Sequence, residues 1–153
     1  LSRSMDEIAE RVAALEEDQA APPISREEVG YLEDILSIRE KADIALKHLR
    51  RIEADFGPIR SAVDRFEQRL EALEARGIDV AALDFEGSYG RTTLEYYDGF
   101  VFGFHAEDRA DLPVIASGGR YDALTGVLGR GRSIPAVGGV IRPEFVLALR
   151  EGA

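Results

Sequence analysis

The 153-residue chain has no cysteine. That excludes disulfides, thiol nucleophiles and thiolate metal sites. It has only two histidines, His48 and His105. Neither has a sequence neighbour suited to a zinc site or a Ser-His-Asp arrangement, and no His-Glu-x-x-His pattern occurs. No metal or cofactor is therefore expected. No apolar run approaches the roughly 20 residues of a membrane-spanning helix, and no signal peptide is visible. A cytoplasmic location is the expectation. Basic charge is also scarce. The formal net charge is −10, made of −7 over residues 1–82 and −3 over 83–153. Neither part carries the basic field of a nucleic-acid binder. The chain opens on Leu1 rather than Met, so it is expected to be a piece of a longer protein.

What is present changes character near residue 80. Ser4-Met5-Asp6-Glu7 and Ser25-Arg26-Glu27-Glu28 both have capping-box spacing. Ile8, Val12 and Leu15 form an apolar stripe after the first; Val29, Leu32, Ile35 and Leu36 form one after the second. Ala21-Pro22-Pro23 separates the two helices. Ser37 to Glu40 is read as a third helix start or as a continuation. Ile44, Leu46, Leu49, Ile52 and Phe56 make the next stripe. Gly57-Pro58 breaks it, with Pro58 suited to a first helical position. Ile59, Val63, Phe66, Leu70 and Leu73 follow, and Gly77 stands where a helix C-cap belongs. These stripes signify core packing.

From Leu83 the period becomes that of strands. Leu83 to Glu86, Leu94 to Phe104, Leu112 to Ala116 and Ile134 to Ile141 read as strands. Asp122 to Leu128 and Pro143 to Arg150 read as helices. Consecutive strands with short links predict an antiparallel sheet with packed helices, an α+β fold. Gly118-Gly119 reads as a turn able to approach a ligand closely. Arg120 is suited to a carboxylate, and Asp122 to capping the helix after it. Tyr96 and Tyr97 are adjacent on a strand and point to opposite faces, so one can pack while the other lines a pocket, or both simply pack. Gly126 to Gly131 lacks the ending of a phosphate-binding P-loop and reads as a plain loop.

Taken in order, these pieces carry a resemblance. Leu94-Glu95-Tyr96-Tyr97-Asp98-Gly99-Phe100-Val101-Phe102 is similar to the histidine-recognition strand of histidyl-tRNA synthetases. Gly118-Gly119-Arg120-Tyr121-Asp122 matches the loop that follows it in that family. Pro135-Ala136-Val137-Gly138 and Glu144 match class II motif 3. The departures bear on function. Phe145 stands where active synthetases have the ATP-contacting Arg. Arg142 stands where they have Gly. Thr92-Thr93 replaces the Arg-Gly that opens the histidine strand, and Gly103 replaces its final Glu. The lost Arg would have stabilised negative charge during activation. Arg91 is one residue away, which on a strand means the other face. No anticodon-binding domain is expected after motif 3.

A synthetase-like core with these losses resembles the regulatory subunits of ATP phosphoribosyltransferase, non-catalytic paralogues of histidyl-tRNA synthetase. The resemblance implies a helical segment of the synthetase-like core over 1–82. Over 83–153 it implies the C-terminal part of a class II-like antiparallel sheet domain. It implies no catalytic residues, and a histidine-like pocket of Tyr96, Tyr97, Gly118, Gly119, Arg120 and Tyr121. Thr92, Arg142 and Phe145 are then the degenerate catalytic positions. The implied partner is the short-form catalytic subunit, with a self-dimer through a missing N-terminal half and histidine as effector. No nucleic acid or membrane is implied. A histidyl-tRNA synthetase fragment and a stand-alone histidine-binding protein are the alternatives.

Overall fold

Breakers and caps set the helix boundaries. The computed structural model describes residues 4–90, 97–129 and 131–151. Helix α1 spans Met5–Ala20 and α2 spans Arg26–Ser37, with the proline break between them. At the head of α2 the Glu28 amide donates to Ser25 Oγ at 3.1 Å, and the Ser25 amide donates to Glu28 Oε2 at 2.8 Å. This reciprocal box satisfies two otherwise orphaned donors. It also holds the Glu28 carboxyl below its ordinary pKa, chiefly through the Ser25 amide.

The segment after α2 is neither a third helix start nor a continuation. A short strand, β1 (Arg39–Lys41), precedes helix α3 (Ala42–Asp55). Strand β2 (Asp84–Glu86) forms a two-stranded sheet with β1. Lys41 Nζ donates to Asp84 Oδ1 at 2.5 Å and to the Ala82 carbonyl at 3.1 Å. The pairing is long-range, so helical periodicity on either side of β1 concealed it.

Helix α4 (Arg60–Glu74) packs on α3 after a 3-10 turn at Gly57–Ile59 with Pro58 in its first positions. Ile38, Ala45, Leu49, Ile52 and Val63 form one buried cluster, and Ala42, Leu70 and Val80 a second. Ala45 is fully buried, and such small residues let neighbouring backbones come close. Ile44, expected in the core, is 49% exposed. Its place on the buried side of α3 is taken by Ala42 and Ala45, one turn apart. The stripe on α1 is also uncovered: Ile8, Val12 and Leu15 are all exposed among the described residues. Glu53 is the charged residue in this core. It accepts from Arg50 Nη1 at 2.5 Å and Arg60 Nε at 2.9 Å. Arg50 also reaches Asp64 at 2.7 Å, and Glu67, so one guanidinium ties α3 to α4. Arg50 is the main cause of the lowered Glu53 pKa.

The chain divides into two units, Leu1–Phe85 and Glu86–Ala153. The second holds strands β3 (Val101–Phe104), β4 (Ala116–Arg120) and β5 (Val137–Ile141). They form an antiparallel sheet in the order β3-β4-β5. Helix α5 (Asp122–Leu128) lies between β4 and β5 in sequence, and α6 (Pro143–Glu151) closes the described chain. The architecture is α+β. Among the described residues no helix is long and apolar enough to cross a membrane.

Strand positions differ from the sequence expectation. The strand expected over Leu112 to Ala116 starts at Ala116 and runs on through Gly118-Gly119-Arg120. Glycine-rich composition suggested a turn there, but close cross-strand packing keeps those residues extended. The strand expected from Leu94 is described as β3 only from Val101; residues 91–96 lie outside the described residues.

Gly77 ends α4 as expected. Its φ is +79°, its amide donates to the Glu74 carbonyl at 2.8 Å, and the Ile78 amide reaches Leu73 at 3.1 Å. This is a Schellman closure. Gly77→Ala forces a Cβ into the left-handed region and is expected to lower stability by about 1 kcal/mol, read from urea unfolding.

Candidate functional site

The sheet of the second unit is built around paired glycines. In the β4–β5 register Gly118 faces Gly139 and Gly119 faces Gly138. Directly paired residues share a sheet face, and neighbours along a strand alternate. One face therefore carries Gly118 and Gly139, the other Gly119 and Gly138.

Aromatic rings lie on both faces. A Cβ at Gly118 would come within 2.6 Å of Phe102 Cζ and would also meet the Gly138 carbonyl. Phe102 pairs with Gly118 across β3–β4 and contacts Phe100 and Phe104 on its own face. On the opposite face a Cβ at Gly119 would sit 2.8 Å from the Tyr97 ring, and one at Gly138 would sit 2.7 Å from the Tyr121 hydroxyl. Tyr97 and Tyr121 have centroids 6.3 Å apart. Gly103, which pairs with Ser117, is covered by the Tyr89 hydroxyl. This second face thus presents Tyr89, Tyr97, Tyr121 and Ser117. All four are half-buried.

Arg142 reaches the same face. Its amide donates to the Ile115 carbonyl at 2.9 Å. Its Nη1 donates to the Val114 carbonyl at 3.2 Å and to Ser117 Oγ at 3.4 Å.

The Arg120 side chain follows a different course. Strand alternation puts it on the Phe102 face, where it donates to Asp122 Oδ2 through Nε at 2.9 Å and Nη2 at 2.7 Å. Asp122 also accepts from the Ala136 amide at 2.8 Å. Asp122 is the first residue of α5, so its side chain does not cap that helix. Asp98 does so instead: its carboxylate accepts from the Asp122 amide at 3.1 Å and from the Ala123 amide. The Asp98 amide in turn donates to the Arg120 carbonyl at 3.1 Å. Sequence reading missed Asp98 because its partners lie 24 and 25 positions away. A carboxylate directly after the tyrosine pair was the available signal.

The structure thus brings Tyr97, Gly119 and Tyr121 together on one face, and sets Gly118 and the Arg120 side chain on the other. Tyr96 and Thr92 lie outside the described residues. Phe145 is half-buried on α6, and Glu144 is exposed.

The family model described as histidyl-tRNA synthetase matches residues 5–146, and the chain belongs to that family of histidyl-tRNA synthetase-like proteins. Its curated relatives include the ATP phosphoribosyltransferase regulatory subunit of Brucella ovis. That protein is 34% identical over 137 residues, 89% of this chain and 36% of the relative. The protein of the same name from Mesorhizobium japonicum is 34% identical over 152 residues, 99% of this chain and 40% of the relative. The chain thus spans about two-fifths of the length of these relatives.

Two outcomes follow for the sheet. Gly118→Ala places a methyl group against a backbone carbonyl and is expected to cost about 1–3 kcal/mol in urea unfolding. The Asp122 carboxyl lies below its ordinary pKa, first through the Ala136 amide and then through Arg120. A lowered folded-state pKa adds stability that is present above the ordinary value of about 4 and lost as pH falls through the lowered one. The acid-induced fall in unfolding midpoint below pH 4 should therefore be smaller in Asp122→Asn than in the wild type.

Proposed function

We propose that this chain is part of a regulatory, non-catalytic subunit that activates short-form ATP phosphoribosyltransferase and takes part in histidine feedback. The observation that carries the reading is Phe145 at the motif 3 arginine position, in a chain whose relatives bear the regulatory-subunit name. A phenyl ring offers no charge to a triphosphate, so the nucleotide chemistry of a synthetase lacks one of its groups here. Arg142, in place of a glycine, adds bulk and charge close to the same segment.

In this reading residues 1–82 are a helical segment of the synthetase-like core. Residues 83–153 are the C-terminal part of a class II-like antiparallel sheet domain. Tyr96, Tyr97, Gly118, Gly119, Arg120 and Tyr121 belong to a retained histidine-like pocket. In this reading their tasks differ. Tyr97 and Tyr121 offer rings and hydroxyls, while Gly119 lets the rings approach the backbone. Gly118 and Arg120 hold the β4 strand and the start of α5. Amino-acid recognition needs shape and a few polar groups, and both survive the loss of catalysis. Feedback then requires histidine to favour one state of the complex over another. The subunit works in the cytoplasm without a cofactor, and self-associates through the part of the protein upstream of this chain.

The test is to add purified full-length protein to the short-form catalytic subunit and measure phosphoribosyl transfer. The expected result is a rate that rises with the ratio of the two and falls on addition of histidine. An unchanged rate at every ratio overturns the reading. Histidine-dependent ATP–pyrophosphate exchange by the protein alone would mark a working synthetase instead.

A further inference from the structure

Arg142 stands out among the described arginines of the second unit. Arg109 is paired with Asp111 and Arg120 with Asp122. Arg132 and Arg150 are exposed to water. Arg142 is half-buried, yet its hydrogen bonds go to a carbonyl and a hydroxyl, and among the described residues it has no carboxylate partner. A guanidinium has five N–H donors in a planar fork, and Nη1 is the nitrogen engaged here. Removing such a group from water without a counter-charge is unfavourable. The group is also held in place. The Arg142 backbone is bonded to Ile115, and its side chain is moored at both Val114 and Ser117.

Its place on the sheet sets what lies beside it. Ser117 and Gly119 are two residues apart on β4 and face the same way, about 7 Å along the strand. Arg142 and the Tyr89 hydroxyl sit at the Ser117 end, through Ser117 and its pair Gly103. The Tyr97 and Tyr121 rings sit at the other end, on Gly119 and Gly138. A fixed cation thus stands at one end of an aromatic floor. The ligand that suits both ends is a zwitterionic amino acid with a planar, polar side chain. Its carboxylate meets the fork and its ring meets the tyrosines.

We propose that Arg142 is the carboxylate anchor of the amino-acid pocket, a specificity-determining residue that admits α-amino acids and discriminates against their carboxylate-free analogues. This rests on the histidine-pocket reading above. Arg142 then serves as a binding group, beyond being a lost catalytic position. The Ser117 hydroxyl accepts from Arg142, which leaves its own proton to donate to the same carboxylate.

Calorimetric titration of the full-length protein with L-histidine and L-histidinol tests the assignment. Wild-type protein should bind histidinol roughly 10- to 100-fold more weakly than histidine, the loss of a charge-assisted pair. Arg142→Met should bind histidine as weakly as the wild type binds histidinol, with histidinol affinity unchanged. Arg142→Lys, which keeps the charge but not the fork, should fall between. Circular dichroism checks the fold of each variant, and the wild-type comparison of the two ligands stands even if Arg142→Met fails to fold. Equal affinity for the two ligands in the wild type, or full histidine affinity in a folded Arg142→Met or Arg142→Lys, overturns the anchor and leaves the histidine reading standing. A wild type that binds no histidine overturns both.

Discussion

The close contact of β4 and β5 at four adjacent glycines governs the second unit. Gly118 and Gly119 pair with Gly139 and Gly138. With no Cβ at these four positions, aromatic rings can lie directly on the backbone. Phe102 does so on one face, Tyr97 and Tyr121 on the other. The glycines supply little register preference of their own, since a slip would move no side chain to the wrong face. The flanking contacts supply it instead. Asp98 holds the start of α5, and Asp122 holds both Arg120 and the Ala136 amide just before β5. The tyrosine face and its arginine follow from that arrangement.

The first unit relies on a different device. Helices α3 and α4 meet through aliphatic residues and alanines, and Arg50 gathers carboxylates from both of them. Asp64 and Glu67 are more than two-fifths exposed, so these pairs add little net stability. Glu53 would be unfavourable at its depth without the two arginines that reach it.

Local chemistry was legible in the sequence, and pairings across distance were not. The Ser25 capping box, the Gly77 closure, the Pro58 turn and helices α5 and α6 follow from short-range rules and stand where those rules put them. Strand β1 was hidden because three residues between helices carry no period, and its partner lies more than forty positions on. The Gly118-Gly119 strand was read as a turn because glycine's freedom is visible in a sequence while the ring that occupies the vacated space is not. The same limit applied to the candidate site. Its residue types were apparent, but the division of the Gly118 to Tyr121 run between two sheet faces needed the register. Arg142 drew notice as a departure from a motif, and its mooring to Ser117 came from the fold.

The glycine pairs also have a genetic consequence. Every single-nucleotide change that replaces a glycine yields either a stop or a residue with a β-carbon. At Gly118 and Gly119 that carbon meets backbone oxygen as well as a ring. A lineage cannot cross these positions by small steps while the rings stay in place. Arg142 and Phe145, at the margin of the sheet, lie under no such block. Altered function can therefore accumulate at the rim of this site while its floor stays unchanged.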